Sequence, residues 1–170
     1  MGIFRILSLL VCLLIAPVFI LAQNANTVYI EKYKGLAIDL MHQTNVPASV
    51  ILGVAMVESG AGNSALSRKF NNHFGITGTN TNAIEKLGRR TRYKEYESDT
   101  ASFRHFCDML AKKQFYPKLV DKQDYKLWVP AIRRTGYAGS AQTWEKKVKT
   151  AIIKNKLYEL DRISMDPLTK

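Results

Sequence analysis

The chain has 170 residues, 46% of them apolar and 23% charged, which fits one globular domain and excludes a disordered polymer. Its 25 Lys and Arg stand against 14 Asp and Glu, a net charge of +11. Partners are therefore expected among anionic polymers: nucleic acid, a membrane surface or a cell wall. Charge alone does not choose among them, and a solvated basic surface with no partner is the plain alternative.

The N-terminus narrows the choice. Arg5 precedes an apolar run from Ile6 to Ala22, interrupted only by Ser8 and Pro17. A short basic region, a short apolar region and a closing small residue make the pattern of a secretory signal peptide. Cleavage after Ala22 divides the chain into a signal peptide, 1–22, and a mature domain, 23–170. The rival is an uncleaved anchor, but about 20 apolar residues span a bilayer and this run is slightly short. The expected location is periplasmic or secreted, with no stable membrane insertion after cleavage, and this sets nucleic acid aside as a partner. Cys12 follows Leu10 and Val11 with no small residue adjacent, so it reads as part of the apolar run and not as a lipid attachment site.

In the mature chain, apolar residues at Ile30, Tyr33, Ala37, Leu40 and Met41 predict a helix over 28–44. Asn45 stops it, and Pro47 opens the next helix at a position where its missing N–H costs nothing. Val50, Ile51, Leu52, Val54, Ala55, Met56 and Val57 make that helix apolar nearly all round, the pattern of a buried central helix. Glu58 sits at its end, and Gly60 and Gly62 terminate it. A short helix over 64–70 follows. Residues 71–97 carry Gly75, Gly78, Gly88 and several Asn and Thr, and predict loops with a small β-hairpin or irregular lobe. Ser98 is placed as an N-cap before Phe103, Phe106, Cys107 and Leu110 at helical spacing. Another helix is expected over 124–135, ended by Gly136, with Pro130 bending it or delaying its start. Ser140 is expected to cap a last helix carrying Trp144, Val148, Ala151 and Ile152. Five or so helices around a buried one, with a small lobe, give an α+β, mainly α, domain.

Cys107 has no partner for an internal disulfide once the signal is removed, and it falls in an apolar stripe where core packing is the default. His105 is two residues away on a different helix face, which argues against a thiol mechanism. His42, His73 and His105 are scattered without metal-ligand spacing, so neither a metal nor a cofactor is expected.

Glu58 carries the chemistry. A carboxylate ending an apolar helix is desolvated, which favours its neutral form, and the negative end of the helix dipole acts in the same direction. A carboxylic acid still protonated near neutral pH is what cleavage of a glycosidic bond requires, because the leaving oxygen must receive a proton. A carboxylate exposed at a helix end, or capping nearby loop amides, is the ordinary alternative.

The run Ala55-Met56-Val57-Glu58-Ser59-Gly60-Ala61-Gly62-Asn63-Ser64 resembles the signature of the bacterial endo-β-N-acetylglucosaminidases, the autolysin and flagellar muramidase-like enzymes. The likeness continues through Asn71-Asn72-His73-Phe74-Gly75-Ile76, through Tyr96-Glu97-Ser98 with Ser102-Phe103, through Gly136-Tyr137-Ala138 and into Leu157-Tyr158, in the family's order. Glu-Ser-Gly alone is a weak signal, whereas ordered segments over nearly the whole mature chain are a strong one. The resemblance implies a lysozyme-like fold with a small irregular β-lobe. It implies hydrolysis of the β-1,4 bond after N-acetylglucosamine in peptidoglycan glycan strands. Glu58 matches the family's general acid, and Tyr137 a tyrosine lining the cleft near the scissile sugar. Ser59, Asn72, Phe74, Tyr93 and Tyr96 are the expected substrate-binding residues, although Asn72 reads equally well as a turn residue bonding backbone.

The sequence departs from the family at one place. Members often carry a second glutamate on a hairpin strand, and alignment on Tyr93 to Ser98 puts Thr91 near that position. Glu85, Glu95 and Glu97 are the nearby carboxylates, with Glu85 best placed as the second catalytic group if the hairpin is rearranged. Otherwise the substrate's own 2-acetamido group assists, or the domain binds glycan with little turnover. A lytic transglycosylase, which also uses a lone acid, is the alternative activity. Arg89, Arg90 and Arg92 lie where they could attract the carboxylates of stem peptides. Lys146, Lys147 and Lys149 read as a solvated face, and Trp128 and Trp144 as core. No wall-anchoring repeat is recognisable, which leaves targeting to a protein partner.

Overall fold

The computed structural model describes residues 24–139 and 141–163. The expected signal peptide, Cys12 and the Ser140 cap lie outside the described residues.

The chain begins with α1 (Ala25–Thr44), whose Asn24 side chain accepts the Asn26 N–H at 3.1 Å. Asn45 ends it in the left-handed conformation (φ 54°), and its N–H caps the Met41 carbonyl. Tyr29, Tyr33, Ala37, Leu40 and Met41 are buried. The buried stripe thus starts on Tyr29, where the sequence pattern pointed to Ile30.

The second helix, α2 (Ala48–Ser59), is the centre of the domain: every residue from Ala48 to Met56 is buried. It packs against α1 and against four later elements: α5 (Asp99–Ala111), α7 (Tyr125–Arg134), α8 (Ala141–Lys154) and a closing 3-10 helix (Leu157–Arg162). Pro47 stands one residue earlier than expected, at the N-cap, where a side-chain acceptor is missing. Asp161 of the 3-10 helix supplies one, accepting the Ser49 N–H at 2.8 Å and the Ser49 hydroxyl at 2.6 Å. Two carboxylate oxygens thus satisfy donors that a buried helix start leaves open. Burial raises the Asp161 pKa to about 6.

At its other end α2 stops at Gly60, Ala61 and Gly62, three successive residues with positive φ. Gly62 needs its bareness twice over. Its φ is +78°, and a Cβ there would stand 3.0 Å from the Tyr29 ring. Ser64 caps α3 (Ala65–Phe70) through a 3.0 Å bond to the Ser67 N–H.

The lobe, residues 71–97, contains one antiparallel bridge, Thr77 to Tyr93, flanked by Gly78 N–H to Arg92 O (2.9 Å) and Lys94 N–H to Ile76 O (2.8 Å). A short helix, α4 (Ala83–Leu87), forms its tip. So small a ladder cannot hold itself, and Asn72 supplies what it lacks. The Asn72 amide is buried. It donates to the carbonyls of Ile76 and Lys94 at 2.8 Å each and accepts from the N–H groups of Ile76 (3.1 Å) and Phe74 (3.4 Å). Phe74 anchors the lobe below, stacked on Phe106 at 4.3 Å and edge-on to Phe103 at 5.0 Å.

Ser98 caps α5 as expected, accepting the Ala101 N–H at 3.1 Å. A short α6 (Tyr116–Leu119), not signalled by the sequence pattern, links α5 to α7. α7 starts at Tyr125 with Pro130 inside it, so the proline does not delay the helix. Cys107 is buried in the core, and burial pushes its thiol up to about 12, which leaves no thiolate for nucleophilic chemistry. Among the described residues no cluster of metal-ligating side chains occurs, and no helix is long and apolar enough to cross a membrane.

Asn72→Ala would leave the Phe74 and Ile76 N–H groups and the Lys94 carbonyl without their side-chain partner, while the Ile76 carbonyl keeps the Lys94 N–H. The expected loss is about 2–4 kcal/mol of unfolding free energy, read by urea denaturation, with amide exchange accelerating first at Ile76 and Lys94.

Candidate active site

Glu58 projects from the last turn of α2 into a cleft of about 740 Å³. The lobe forms one side of the cleft through Gly75, Thr77, Arg92 and Tyr93. The other side comes from Tyr137 to Gly139 and from Thr143, Trp144 and Lys147 of α8, with Phe74 at the base. Gly75 has a φ of +62°, and the Cβ position of any other residue there would lie 3.6 Å from Glu58 Oε2. The loop backbone therefore passes close to the carboxyl without covering it.

The carboxyl is half-buried and held by one bond. Trp144 Nε1–H donates to Glu58 Oε1 at 2.7 Å. Burial raises the Glu58 pKa, while the Trp144 bond and the charge of Lys147 work against it; burial is the largest of the three. The tryptophan also decides where the proton sits. An oxygen accepting an N–H serves as the carbonyl oxygen of a neutral acid, so the proton is left on Oε2. Oε2 lies on the Gly75 side and has no hydrogen-bond partner among the described residues. A carboxyl kept neutral, with its O–H open to a cleft, can hand a proton to a leaving oxygen.

The other expected site residues divide. Tyr137 lines the cleft, its hydroxyl donating to the Phe74 carbonyl at 2.9 Å and its ring 5.5 Å from that of Trp144. Burial and the nearby Glu58 hold its pKa well above the ordinary tyrosine value. Phe74 and Tyr93 line the cleft. Ser59 does not: it is fully buried, donates to the Ala55 carbonyl at 2.6 Å and accepts the Gly62 N–H at 2.8 Å. It shapes the turn after Glu58 and offers nothing to a ligand. Asn72 is likewise spent on the lobe backbone. Tyr96 is buried, its hydroxyl 2.6 Å from His105 Nδ1, and only His105 of this pair reaches the cleft.

The second carboxylate is not brought to Glu58. Glu85 is exposed on α4 and lines a separate hollow of the lobe with Thr91 and Arg90. Glu95 pairs with Lys86, and Glu97 is exposed. Glu58 is the single carboxylate lining the cleft among the described residues.

Sequence reasoning missed Trp144 and Lys147. Trp144 is 95% shielded, as a core residue would be, but its one polar atom is aimed at Glu58. The available signal was the pairing of a buried indole N–H, which needs an acceptor, with a buried carboxyl, which needs a donor. Lys147, three residues on and on the same face, lines the cleft instead of joining a solvated stripe. Trp128 is core as expected, its N–H bonded to the Lys122 carbonyl at 2.7 Å.

A single half-buried acid at the end of a buried helix, opening on a cleft beneath an irregular lobe, is the arrangement of a lysozyme-like glycosidase domain. The chain belongs to the glucosaminidase family: residues 34–157 match the family described as mannosyl-glycoprotein endo-β-N-acetylglucosaminidase. Exo-glucosaminidase LytG of Bacillus subtilis (strain 168) is 26% identical over 157 residues, covering 83% of this chain but 55% of its own length. The chain thus spans little more than half of that relative. Among solved structures, the catalytic domain of the autolysin Auto from Listeria monocytogenes matches with a TM-score of 0.66 and 21% identity, over 82% of this chain and 89% of that one. A C-terminally truncated glycoside hydrolase domain of FlgJ from Salmonella typhimurium matches with a TM-score of 0.60 and 19% identity, over 77% and 97%. These likenesses show the lysozyme-like fold.

Because folding raises the Glu58 pKa, the carboxyl costs nothing while protonated, and stability is lost as pH rises through the folded-state value. Glu58→Gln, which keeps the Trp144 bond and cannot ionise, is expected to melt above wild type at about pH 8. The difference should shrink toward zero as pH falls below the ordinary glutamate range of about 4.3. Calorimetric melting across pH checks both ends.

Proposed function

We propose that the chain is an exported peptidoglycan hydrolase that cleaves the β-1,4 bond after N-acetylglucosamine, with Glu58 as general acid. The observation that carries the proposal is the Glu58 carboxyl itself, half-buried, bonded through Oε1 to Trp144 and open through Oε2 to the cleft. In this reading the Oε2 proton passes to the glycosidic oxygen as the bond to the sugar's anomeric carbon breaks. Tyr137 and Phe74, joined by the hydroxyl–carbonyl bond, wall the scissile sugar, and Tyr93 packs along the strand from the lobe. Export rests on the N-terminal signal pattern, and wall glycan as substrate rests on the family and on the autolysin fold. The likeness to Exo-glucosaminidase LytG adds an exo mode of attack as a second reading of the cleavage pattern.

With one carboxylate lining the cleft, the 2-acetamido group of the substrate is the nearest candidate for the second role. Its carbonyl oxygen attacks the anomeric carbon from the face opposite the departing oxygen, and water then opens the cyclic intermediate with retention. Glu58, left as the carboxylate, takes up that water's proton. The same lone acid favours one rival, a lytic transglycosylase, in which the muramyl 6-hydroxyl replaces water.

Digestion of purified peptidoglycan separates these readings. Reducing N-acetylglucosamine ends are expected, and 1,6-anhydro-muramyl ends would assign the rival. Long products at early times mark endo attack, and disaccharides alone mark exo attack. Glu58→Gln is expected to lower the rate by about 10²–10⁴-fold; unchanged behaviour would leave a wall-binding module. Trp144→Phe removes the N–H that favours ionised Glu58, so the alkaline limb of the rate profile should move to higher pH while kcat falls.

A further inference from the structure

We infer that Arg92 and Lys147 bind carboxylates carried by the muramyl residues of the glycan, so that the cleft prefers charged strands over neutral ones. The inference rests on the cleft being the glycan site, and it names the feature of the glycan that the cleft reads.

Both side chains reach the cleft, Arg92 from the lobe and Lys147 from α8. Arg92 is placed by the bridge at its neighbour Tyr93, and its own carbonyl accepts the Gly78 N–H at 2.9 Å. Lys147 stands three residues after Trp144, on the helix face that holds Glu58. Among the described residues, five cations outside the cleft are held by carboxylates: Arg133 and Lys149 share Glu145, Lys86 takes Glu95, Lys32 takes Asp99 and Lys34 takes Glu31. Among the described residues, neither Arg92 nor Lys147 has a carboxylate partner. The one acid of the cleft, Glu58, carries no charge while it holds its proton. The cleft in its working state therefore presents positive charge alone, a field that draws anionic ligands and gives neutral ones nothing.

Wall glycan alternates a neutral sugar with a muramyl sugar bearing a lactyl carboxyl on C3. When the bond after N-acetylglucosamine is cut, the leaving oxygen is O4 of the muramyl sugar, next to C3. A carboxylate thus enters beside the atom that Glu58 must protonate. Lys147 lines the same cleft and stands near enough for its charge to be felt at Glu58, so a carboxylate entering beside the leaving oxygen comes within its field. Two sources supply the same chemistry: the free lactyl group of peptide-free strands, or the acids of an attached stem peptide.

The test measures binding of purified strands to the Glu58→Gln chain, where turnover does not interfere. The ligands are peptide-free strands, peptide-bearing strands, and each of these with its carboxyls converted to methylamides. Unmodified strands are expected to bind about five- to tenfold more tightly than the amidated forms, as two exposed ion pairs allow. Arg92→Gln with Lys147→Met should abolish that preference, so that amidated and unmodified strands bind alike. Lys146→Met, an exposed cation outside the cleft, should keep it. A preference on peptide-free strands assigns the lactyl group, and one confined to peptide-bearing strands assigns the stem. Equal affinity in the parent, or a preference that survives the double substitution, overturns the inference. Cleavage by the chain with Glu58 intact is followed separately. Preference without turnover removes the hydrolase reading alone, turnover without preference removes this inference alone, and no binding to any strand removes both.

Discussion

The hydrogen bond from Trp144 to Glu58 is the contact on which the site depends. It ties the C-terminal end of α2 to the face of α8 and resolves a conflict within one carboxyl group. Burial favours the neutral acid, and an indole N–H favours the anion. Burial wins, so the N–H orients the acid without stripping its proton. The N-terminal end of α2 is held by the same part of the chain, through Asp161 on Ser49. The central helix is thus clamped at both ends by residues beyond position 140, and packing of the C-terminal segment is a condition for placing the acid.

The lobe reaches its position by different means. It has one bridge where a hairpin would have a ladder, and it compensates with a buried amide that makes four bonds to its backbone. Behind it, His73 bonds the Tyr29 hydroxyl through Nδ1 (2.8 Å) and the Asp99 carboxylate through Nε2 (2.9 Å), linking α1, the lobe and the start of α5. Burial holds the His73 pKa down despite the carboxylate. Tyr29 of this polar cluster lies against Gly62 in the turn after Glu58.

Much of this was legible in the sequence. A helix apolar on every side has to be central, and a carboxylate ending it has to be desolvated, so α2 and Glu58 could be read from periodicity and elementary electrostatics. Helix ends at Asn45, Gly60 and Ser98 followed from cap chemistry. Local pattern failed where a side chain's role depends on a partner distant in sequence. Trp144 and Glu58 are 86 residues apart, and Trp144 alone looked like ordinary core. Ser59 and Asn72 belong to motif segments, which say that a residue matters and not whether it faces ligand or backbone; burial decided both. Lys147 was placed with a solvated stripe because three lysines in four positions suggest one, yet helical geometry puts 146 and 149 on one face and sends 147 to another. Glu85 was chosen by sequence nearness to the hairpin, and the fold put it at the lobe's tip.

The account rests on a carboxyl that keeps its proton where an ordinary glutamate has lost it. Carbon-13 NMR titration of the side-chain carboxyls, with the Glu58 signal assigned by its loss in Glu58→Gln, measures this directly. A midpoint for Glu58 above those of the exposed glutamates Glu31, Glu85 and Glu97 is the predicted result. A midpoint among theirs would contradict the account.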